Sequence, residues 1–273
     1  MAALSTVRRP AVAGTFYPAD PAALSVDLDR CLANATLAKT SCTAIIVPHA
    51  GYRYSGAVAG EVYGRVELPR RFIILSPNHT GHGVPYSLMS SGEWRTPLGN
   101  AAIDADLAAR FQAHCPLLQN DAAAHRAEHS LEVQIPFLQK LKPGFTFVPL
   151  TLGYLPFEKC EAVGHALAET IRETPEPVMI VASSDMNHYE DQETTEEKDF
   201  WAIGQIEAMN PKGLYQTVRD EKISMCGIIP TTVALVAALA LGAKEAKLIR
   251  HATSGDVTGD YGAVVGYAGF VIR

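Results

Sequence analysis

The chain has 273 residues, with 23 Lys and Arg against 29 Asp and Glu, which gives a formal net charge of −6 at pH 7. This acidic balance, without any block of like charge, argues against sequence-independent binding to nucleic acid, which needs cations that neutralise phosphates. Hydrophobic residues make up 48% and charged residues 19% of the chain, which is enough apolar side chain for a packed core and excludes intrinsic disorder as the main state.

The location of the protein is predicted from what its sequence lacks. No apolar segment follows the two arginines near the N-terminus, as it would in a signal peptide. The longest apolar stretch, 228–243, is interrupted near its start and predicts a buried helix rather than a membrane span. Five cysteines without a C-x-x-C pair are typical of reduced thiols. We therefore expect a cytoplasmic protein that does not bind membranes.

Short β-branched runs alternate with longer amphipathic runs along the chain, without repeats or linkers. This pattern predicts one α/β domain over residues 1–273, a three-layer α/β/α sandwich with a mostly parallel or mixed central sheet. Several strands are almost continuously apolar, as strands covered on both faces are. The predicted strands are 43–47, 72–76, 145–151, 178–183 and 263–272, and the glycines near the last one predict a weakened or bulged strand. The predicted helices are 22–34, 56–66, 104–114, 128–141, 157–172, 194–209 and 229–241.

Polar residues follow three of these strands where each strand ends. His49 and His79 each come after a strand and a proline, with a glycine two residues further on, and the third strand continues into Asp185 and His188. Ligands of open α/β sheets bind at this carboxyl edge. Two histidines held at one sheet edge can bind a metal ion, and a third ligand is usual.

The candidates for a third ligand are Asp185, His188, Glu132 and Cys226. Cys226 precedes a predicted helix, where backbone N–H groups and the helix dipole favour a thiolate. It is therefore the best placed cysteine for a ligand. His129 and Glu132 lie three residues apart in a predicted helix, and either support the site from behind or form an ordinary pair within the helix.

Six motifs occur in register along nearly the whole chain, and together they resemble the Memo family. They lie at residues 9–18, 48–52, 76–79, 128–132, 183–188 and 226–227. The resemblance implies a fold similar to that of class III extradiol dioxygenases, which are non-haem iron enzymes. Bacterial and archaeal members of the family are usually called the B component of a three-part system. The resemblance therefore implies an AMMECR-type protein and a radical-SAM protein as partners.

The resemblance also implies roles for individual residues. His49, His79 and Cys226 match the family's metal pocket, and Cys226 stands where the dioxygenases have a carboxylate. Because a thiolate is softer and oxidisable, this replacement puts ring cleavage in doubt and shifts the metal preference toward copper, zinc or thiolate-tolerant iron. Asp185 and His188 match the remaining polar pocket residues, with His188 at the position of the acid/base histidine. We also expect Tyr17, Tyr52 and Tyr54 to line the pocket.

Three functions are weighed on this basis. The leading one is redox or oxygen-dependent chemistry on a small organic substrate at a His/His/Cys metal pocket, with iron or copper as the preferred ion and zinc as a third candidate. The second is a non-catalytic metal-handling or scaffold role within the three-part system, because the carboxylate ligand is missing. The third is a hydrolase in which Cys226 acts with His188. A serine triad made from residues 183–188 is disfavoured because these residues are crowded on one strand end.

Overall fold

The computed structural model describes residues 6–34 and 39–273, and within them the chain forms twelve strands and nine α-helices. The strands are β1 (Val7–Arg8), β2 (Ala44–Val47), β3 (Arg71–Pro77), β4 (Tyr86–Leu88), β5 (Glu93–Thr96), β6 (Gly99–Ile103), β7 (Gln119–Asn120), β8 (Thr146–Leu152), β9 (Val178–Ser183), β10 (His188–Glu190), β11 (Ala246–Thr253) and β12 (Val264–Ile272). The helices are α1 (Pro21–Cys31), α2 (Tyr52–Arg65), α3 (Ala105–His114), α4 (Ile135–Leu141), α5 (Phe157–Arg172), α6 (Gln192–Glu207), α7 (Pro211–Asp220), α8 (Ile228–Ala240) and α9 (Gly255–Thr258). A 3₁₀ turn, Glu132–Gln134, precedes α4.

The strands form one mixed sheet in the order β1, β5, β6, β8, β3, β9, β2, β12, β10, with β11 beside β12 and β4 beside β8. The central strands β8, β3, β9 and β2 run parallel to one another. β12 is antiparallel to β2, and β11 is antiparallel to β12. The carboxyl ends of the four parallel strands therefore meet at one edge of the sheet.

Helices cover both faces of this sheet, as the apolar strands predict. Along β2, Ala44 and Ile46 pack into one core cluster with residues of α3, α5, α6, α7 and α8. Ile45 and Val47 pack into the other cluster with residues of α1, α2 and α4. Alternate side chains of a strand point to opposite faces, so a strand between two helix layers must be apolar at every position. The predicted α/β class with a mixed central sheet is confirmed.

The strongest predicted elements are observed within a few residues of their expected bounds. One expectation was wrong: residues 128–131 are not helical, and α4 begins only at Ile135. The Glu128 carboxylate accepts hydrogen bonds from the Ser130 amide and hydroxyl, which holds this segment in a loop. His129 and Glu132 are therefore not a pair on one helical face. The short strands β1, β4 to β7 and β10, the longer β11, and the helices α7 and α9 were not predicted.

The glycines of β12 produce no bulge in that strand, contrary to one of the two expected outcomes. Consecutive residues of β12 pair with β11 without interruption. The extra residue that makes the bulge lies in β11, between Leu248 and Arg250. A Cβ at Gly266 would lie 1.8 Å from Asp199 Oδ2 on α6, and one at Gly269 would lie 2.5 Å from Val62 Cγ2 on α2. These two glycines allow helices to approach the sheet closely.

No helix within residues 6–34 and 39–273 is long and apolar enough to cross a membrane.

Candidate metal centre and its surroundings

A cavity of about 620 Å³ opens at the carboxyl edge of the parallel strands. The loops after β2, β3 and β9 supply His49, His79 and Asp185 to its wall, as the strand-end motifs predict. The remaining lining residues come from the N-terminal segment, the first turn of α2, the loop before α4, β10, β12 and the segment before α8. They include Phe16, Tyr54, His129, His188, Tyr189, Ser224, Cys226 and Tyr267. No lysine or arginine of the described residues lines the cavity.

Three imidazoles converge in this cavity. One ring nitrogen from each of His49, His79 and His129 lies within 4.8 Å of the other two, a spacing that could hold a metal ion. The rings of His79 and His129 stack with centroids 4.6 Å apart, and His49 meets His79 edge-on at 5.2 Å. His49 is buried, His79 is exposed and His129 is intermediate, so the cluster faces solvent on one side.

The buried hydroxyl of Ser183 determines which nitrogen of His49 is free. This hydroxyl donates to the Ser130 carbonyl at 2.7 Å, and it accepts from the Gln134 amide at 3.0 Å. His49 Nδ1, 2.9 Å from the same oxygen, must therefore donate to it. Nε2 is then the unprotonated nitrogen, as a metal ligand requires.

Burial and the neighbouring imidazoles hold the pKa of His49 well below its ordinary range. The ring is therefore neutral at pH 7. Neutral imidazole is the form that binds metal ions.

Glu128 orients His79 in a similar way. The Nδ1–H of His79 donates to Glu128 Oε1 at 2.9 Å, and the His79 backbone N–H donates to Oε2 at 2.6 Å. Burial alone would raise the pKa of Glu128, but the hydrogen bonds and charge of His79 and the Ser130 donors outweigh it and lower the pKa to about 2. Glu128 is thus a carboxylate behind His79, whose Nε2 is left for the cavity.

Cys226 lies beside His49. Its Sγ is 3.1 Å from His49 Nε2 and accepts a hydrogen bond from the Asp185 amide at 3.4 Å. Burial, with the nearby Asp185 carboxyl, raises the pKa of the thiol well above its usual value. The position before α8 predicted a thiolate. Burial instead favours the protonated thiol as long as no cation is bound. A bound cation would reverse this balance, since a coordinating thiol is deprotonated outright.

Asp185 and His188 both face the cavity, but they contact different groups. Asp185 Oδ1 accepts the His49 backbone N–H at 2.6 Å. Burial raises the pKa of Asp185 to about 7, although the backbone N–H groups of His49 and Ala50 favour the ionised carboxylate. His188 is half-buried, burial lowers its pKa, and its Nδ1 has no hydrogen-bond partner among the described residues.

Three residues that we expected near the pocket lie outside its lining. Glu132 is buried and accepts hydrogen bonds from Arg8, from Tyr17 and from the amides of residues 11 and 12. Tyr52 donates to the Val133 carbonyl and packs against Phe137 in the core, with the two rings tilted. Glu132, Tyr17 and Tyr52 therefore anchor the N-terminal segment against the loop before α4. Of the three tyrosines, only Tyr54 lines the cavity.

Neither hydrolase arrangement is assembled. Ser184 Oγ donates to the Asp185 carbonyl, and the Ser183 hydroxyl is taken by His49, Gln134 and Ser130. The histidine that Cys226 contacts is His49 rather than His188. Within the described residues, no serine or cysteine side chain is hydrogen-bonded to the His188 imidazole, and the Ser224 hydroxyl contacts only the His188 backbone.

Three residues that support the site were missed in the sequence, namely Glu128, Ser183 and Gln134. Glu128 and Ser183 each open one of the motifs that carry the Memo resemblance, which was the available signal. Gln134 carried no signal, because its role depends on the approach of the β2 and β9 ends to the loop before α4.

Comparison with known proteins decides the family. A family model described as Memo-like protein matches residues 8–271. The chain belongs to the Memo family. A MEMO1 family protein of Methanothermobacter thermautotrophicus is 42% identical over 96% of this chain and 99% of the relative. Those of Methanopyrus kandleri and Aquifex aeolicus are 40% and 41% identical, each over 97% of this chain and over 99% and 98% of the relative.

This Memo chain also shares its fold with a solved structure, that of the uncharacterized protein JW3007 from Escherichia coli K12. The TM-score is 0.54 at 13% sequence identity, over 84% of this chain and 98% of the other. Likeness at this identity concerns the fold alone.

Proposed function

We propose that this Memo protein binds a transition metal ion in the cavity and carries out redox or oxygen-dependent chemistry on a small organic substrate. The observation that carries the proposal is the convergence of the three imidazoles, two of which have their other ring nitrogen held by Ser183 and Glu128. Such partners behind the ligands fix ring orientation and raise ligand basicity at metal sites. Iron and copper are the preferred ions, with zinc as a third candidate.

Two sets of residues are candidates for the metal ligands. The set expected from the family is His49, His79 and Cys226, and the alternative set replaces Cys226 by His129. Cys226 supports the first set because its sulfur already lies 3.1 Å from His49 Nε2. His129 supports the second because its ring nitrogen lies close to those of both other histidines. Imidazole suits iron, copper and zinc, and a thiolate adds preference for softer ions.

Cobalt substitution distinguishes the two sets. If Cys226 is a ligand, the Co²⁺ protein has an ultraviolet sulfur-to-metal charge-transfer band that Cys226→Ser abolishes, and His129→Ala leaves the band in place. If His129 is the third ligand, the band is absent and His129→Ala weakens Co²⁺ binding more than Cys226→Ser does. Failure of the unmodified protein to bind Co²⁺ or any other transition metal ion would contradict the metal site itself.

When bound, the ion would supply Lewis acidity and, for iron or copper, electron transfer. The chain would supply proton handling. A carboxyl with a pKa near 7, such as Asp185, can hold or release a proton at neutral pH. Burial favours the neutral form of His188, and its Nδ1 has no hydrogen-bond partner among the described residues, which suits it to move a proton between substrate and solvent.

Metal content and oxygen consumption test this function. Protein purified without chelator is expected to contain close to one equivalent of a transition metal, or to take it up tightly on titration. Iron-loaded protein is then assayed for oxygen consumption with a panel of catechols, with His188→Ala as the comparison. Turnover that disappears in His188→Ala with metal content unchanged supports catalysis, and metal content below about a tenth of an equivalent without uptake contradicts the whole proposal.

A non-catalytic role is the alternative, and one observation favours it. The two carboxylates nearest the cluster are both engaged as hydrogen-bond acceptors, Glu128 behind His79 and Asp185 at the His49 amide. Among the described residues the three imidazoles have the spacing of metal ligands and no carboxylate joins them, so the two-histidine, one-carboxylate arrangement of non-haem iron oxygenases is not assembled. In this alternative the protein handles metal or acts as a cytoplasmic scaffold for an AMMECR-type protein and a radical-SAM protein. Bound metal without turnover, together with co-purification of those partners, would favour it over catalysis.

A further inference from the structure

Helix α6 exposes two adjacent aromatic side chains. Phe200 is 52% exposed and Trp201 is 39% exposed, whereas the other tryptophan, Trp94, is fully buried. Neither Phe200 nor Trp201 lines the cavity described above. Single exposed apolar residues need no explanation, but two large neighbouring rings on a polar helix form a patch.

Gly204 lies one turn further along the same helix, next to both rings on the helix surface. Glycine in a helix interior lowers the stability of the helix compared with alanine. A neighbour that approaches too closely for a Cβ is the usual reason for such a glycine. Gly164 on α5 meets that condition, because a Cβ there would lie 2.6 Å from Val236 Cγ1. A Cβ at Gly204 would meet nothing within 4 Å. The described residues of this chain thus give no packing reason for the glycine, which leaves bare backbone beside the two rings.

The surroundings of this patch are acidic. Helix α6 carries five acidic residues and one lysine. Lys198 is paired with Glu190, and Asp199 is buried against His251. Glu193 and Glu197 are exposed, and Glu207 is exposed while its Oε1 lies 3.4 Å from the Leu248 amide. The carboxylates around the rings therefore have no accessible cation on the same helix.

We propose that Phe200, Trp201 and Gly204 form a docking surface for a basic segment of a partner protein. An arginine or lysine side chain of the partner would lie against the aromatic faces, between the bare backbone at Gly204, where the partner chain approaches, and the carboxylate of Glu197, which attracts its charge. Cations are attracted to aromatic faces, and tryptophan and arginine are enriched at interface hot spots. A second copy of this chain fits poorly, since its acidic α6 would repel this one, and the same charge disfavours anionic membranes and nucleic acid.

The proposal is independent of the metal centre and is tested with the full-length protein. The probe is an eight-residue peptide of alternating arginine and alanine, and its counterpart with glutamate in place of arginine is the negative control. Binding is followed by tryptophan fluorescence, because Trp201 is the exposed one of the two tryptophans. We expect saturable binding of the arginine peptide that weakens as salt is added.

Gly204→Ala is the decisive variant because it separates docking from folding. The alanine should raise the melting temperature by about 2–4 °C through helix propensity, yet weaken peptide binding at least fivefold by filling the gap beside the rings. Glu197→Gln should weaken binding about threefold, and Glu169→Gln on the exposed face of α5 should not change it. Binding that is unchanged in both Gly204→Ala and Glu197→Gln, absent in the unmodified protein, or shown instead by anionic vesicles would overturn the proposal.

Discussion

The buried carboxylate of Glu128 holds His79 at two points, through the ring Nδ1 at 2.9 Å and through the backbone amide at 2.6 Å. The two hydrogen bonds fix both the orientation of the ring and the course of the chain after β3. They also leave His79 Nε2 free to face the cavity in which the ring nitrogens of His49 and His129 converge with it.

Glu128→Gln should weaken metal binding by about 10-fold to 100-fold, the usual effect of losing a partner behind a ligating histidine. All the hydrogen-bond partners of this carboxylate among the described residues are donors, namely the His79 ring and amide and the Ser130 amide and hydroxyl. A glutamine NH₂ would therefore face another donor whichever way it turned. Co²⁺ titration measures the change, and an affinity equal to that of the unmodified protein would contradict the assignment.

Ser183→Ala should lower metal affinity about 10-fold and destabilise the fold by about 1–3 kcal/mol. The variant removes the acceptor of His49 Nδ1 and leaves the Gln134 amide with one partner fewer. Ser184→Ala is the matched control, because its equally buried hydroxyl donates to the Asp185 carbonyl and makes no hydrogen bond to His49 or Gln134. Co²⁺ titration and urea unfolding of both variants give the comparison, and equal affinities for the two would refute the role of Ser183.

Glu132→Ala should destabilise the protein by about 3–5 kcal/mol, because it leaves the buried Arg8 guanidinium without its anion. Tyr17→Phe should cost about 1–3 kcal/mol through one lost hydrogen bond. Both variants should bind Co²⁺ with unchanged affinity at temperatures where they remain folded. Weaker metal binding would instead place Glu132 in the support of the metal centre.

The ion pair between Arg71 and Asp104 should give stability that depends on pH. Burial would raise the pKa of Asp104, but hydrogen bonds from Arg71, Leu107 and Thr146 lower it below the ordinary value of an aspartate. Its contribution is therefore present above about pH 4, where the unfolded carboxyl is ionised, and is lost as the pH falls through the lower folded pKa.

Asp104→Asn measures this contribution. The variant should be about 1.5–3 kcal/mol less stable than the unmodified protein at pH 7, and urea unfolding at decreasing pH should show the difference narrowing below pH 4. The asparagine can still cap α3, since its side-chain oxygen can accept the Leu107 amide. A difference that stays constant down to pH 2.5 would contradict the ionic origin of the effect.

Hydrophobic patterning determined most of the fold in advance. Strands covered on both faces are apolar at every position, so β2, β3, β8 and β9 could be located from their continuous apolar runs in the sequence. The loop at residues 128–131 was mistaken for helix because its conformation depends on a buried carboxylate that binds a distant histidine. The short strand β4 carries no comparable signal, because its pairing with β8 depends on the position of another strand.

The sequence by itself determined the family, the sheet edge that carries the site and the strand-end residues His49, His79 and Asp185. Periodicity and motif order are local properties of the chain, so they can be read without coordinates. Only the tertiary structure decided that His129 joins the other two imidazoles and that Glu128 and Ser183 orient them. It also separated Tyr54, at the cavity wall, from Tyr17 and Tyr52 in the interior. Such contacts join residues distant in sequence, and which of them meet is set by the packing of the loops around the sheet edge.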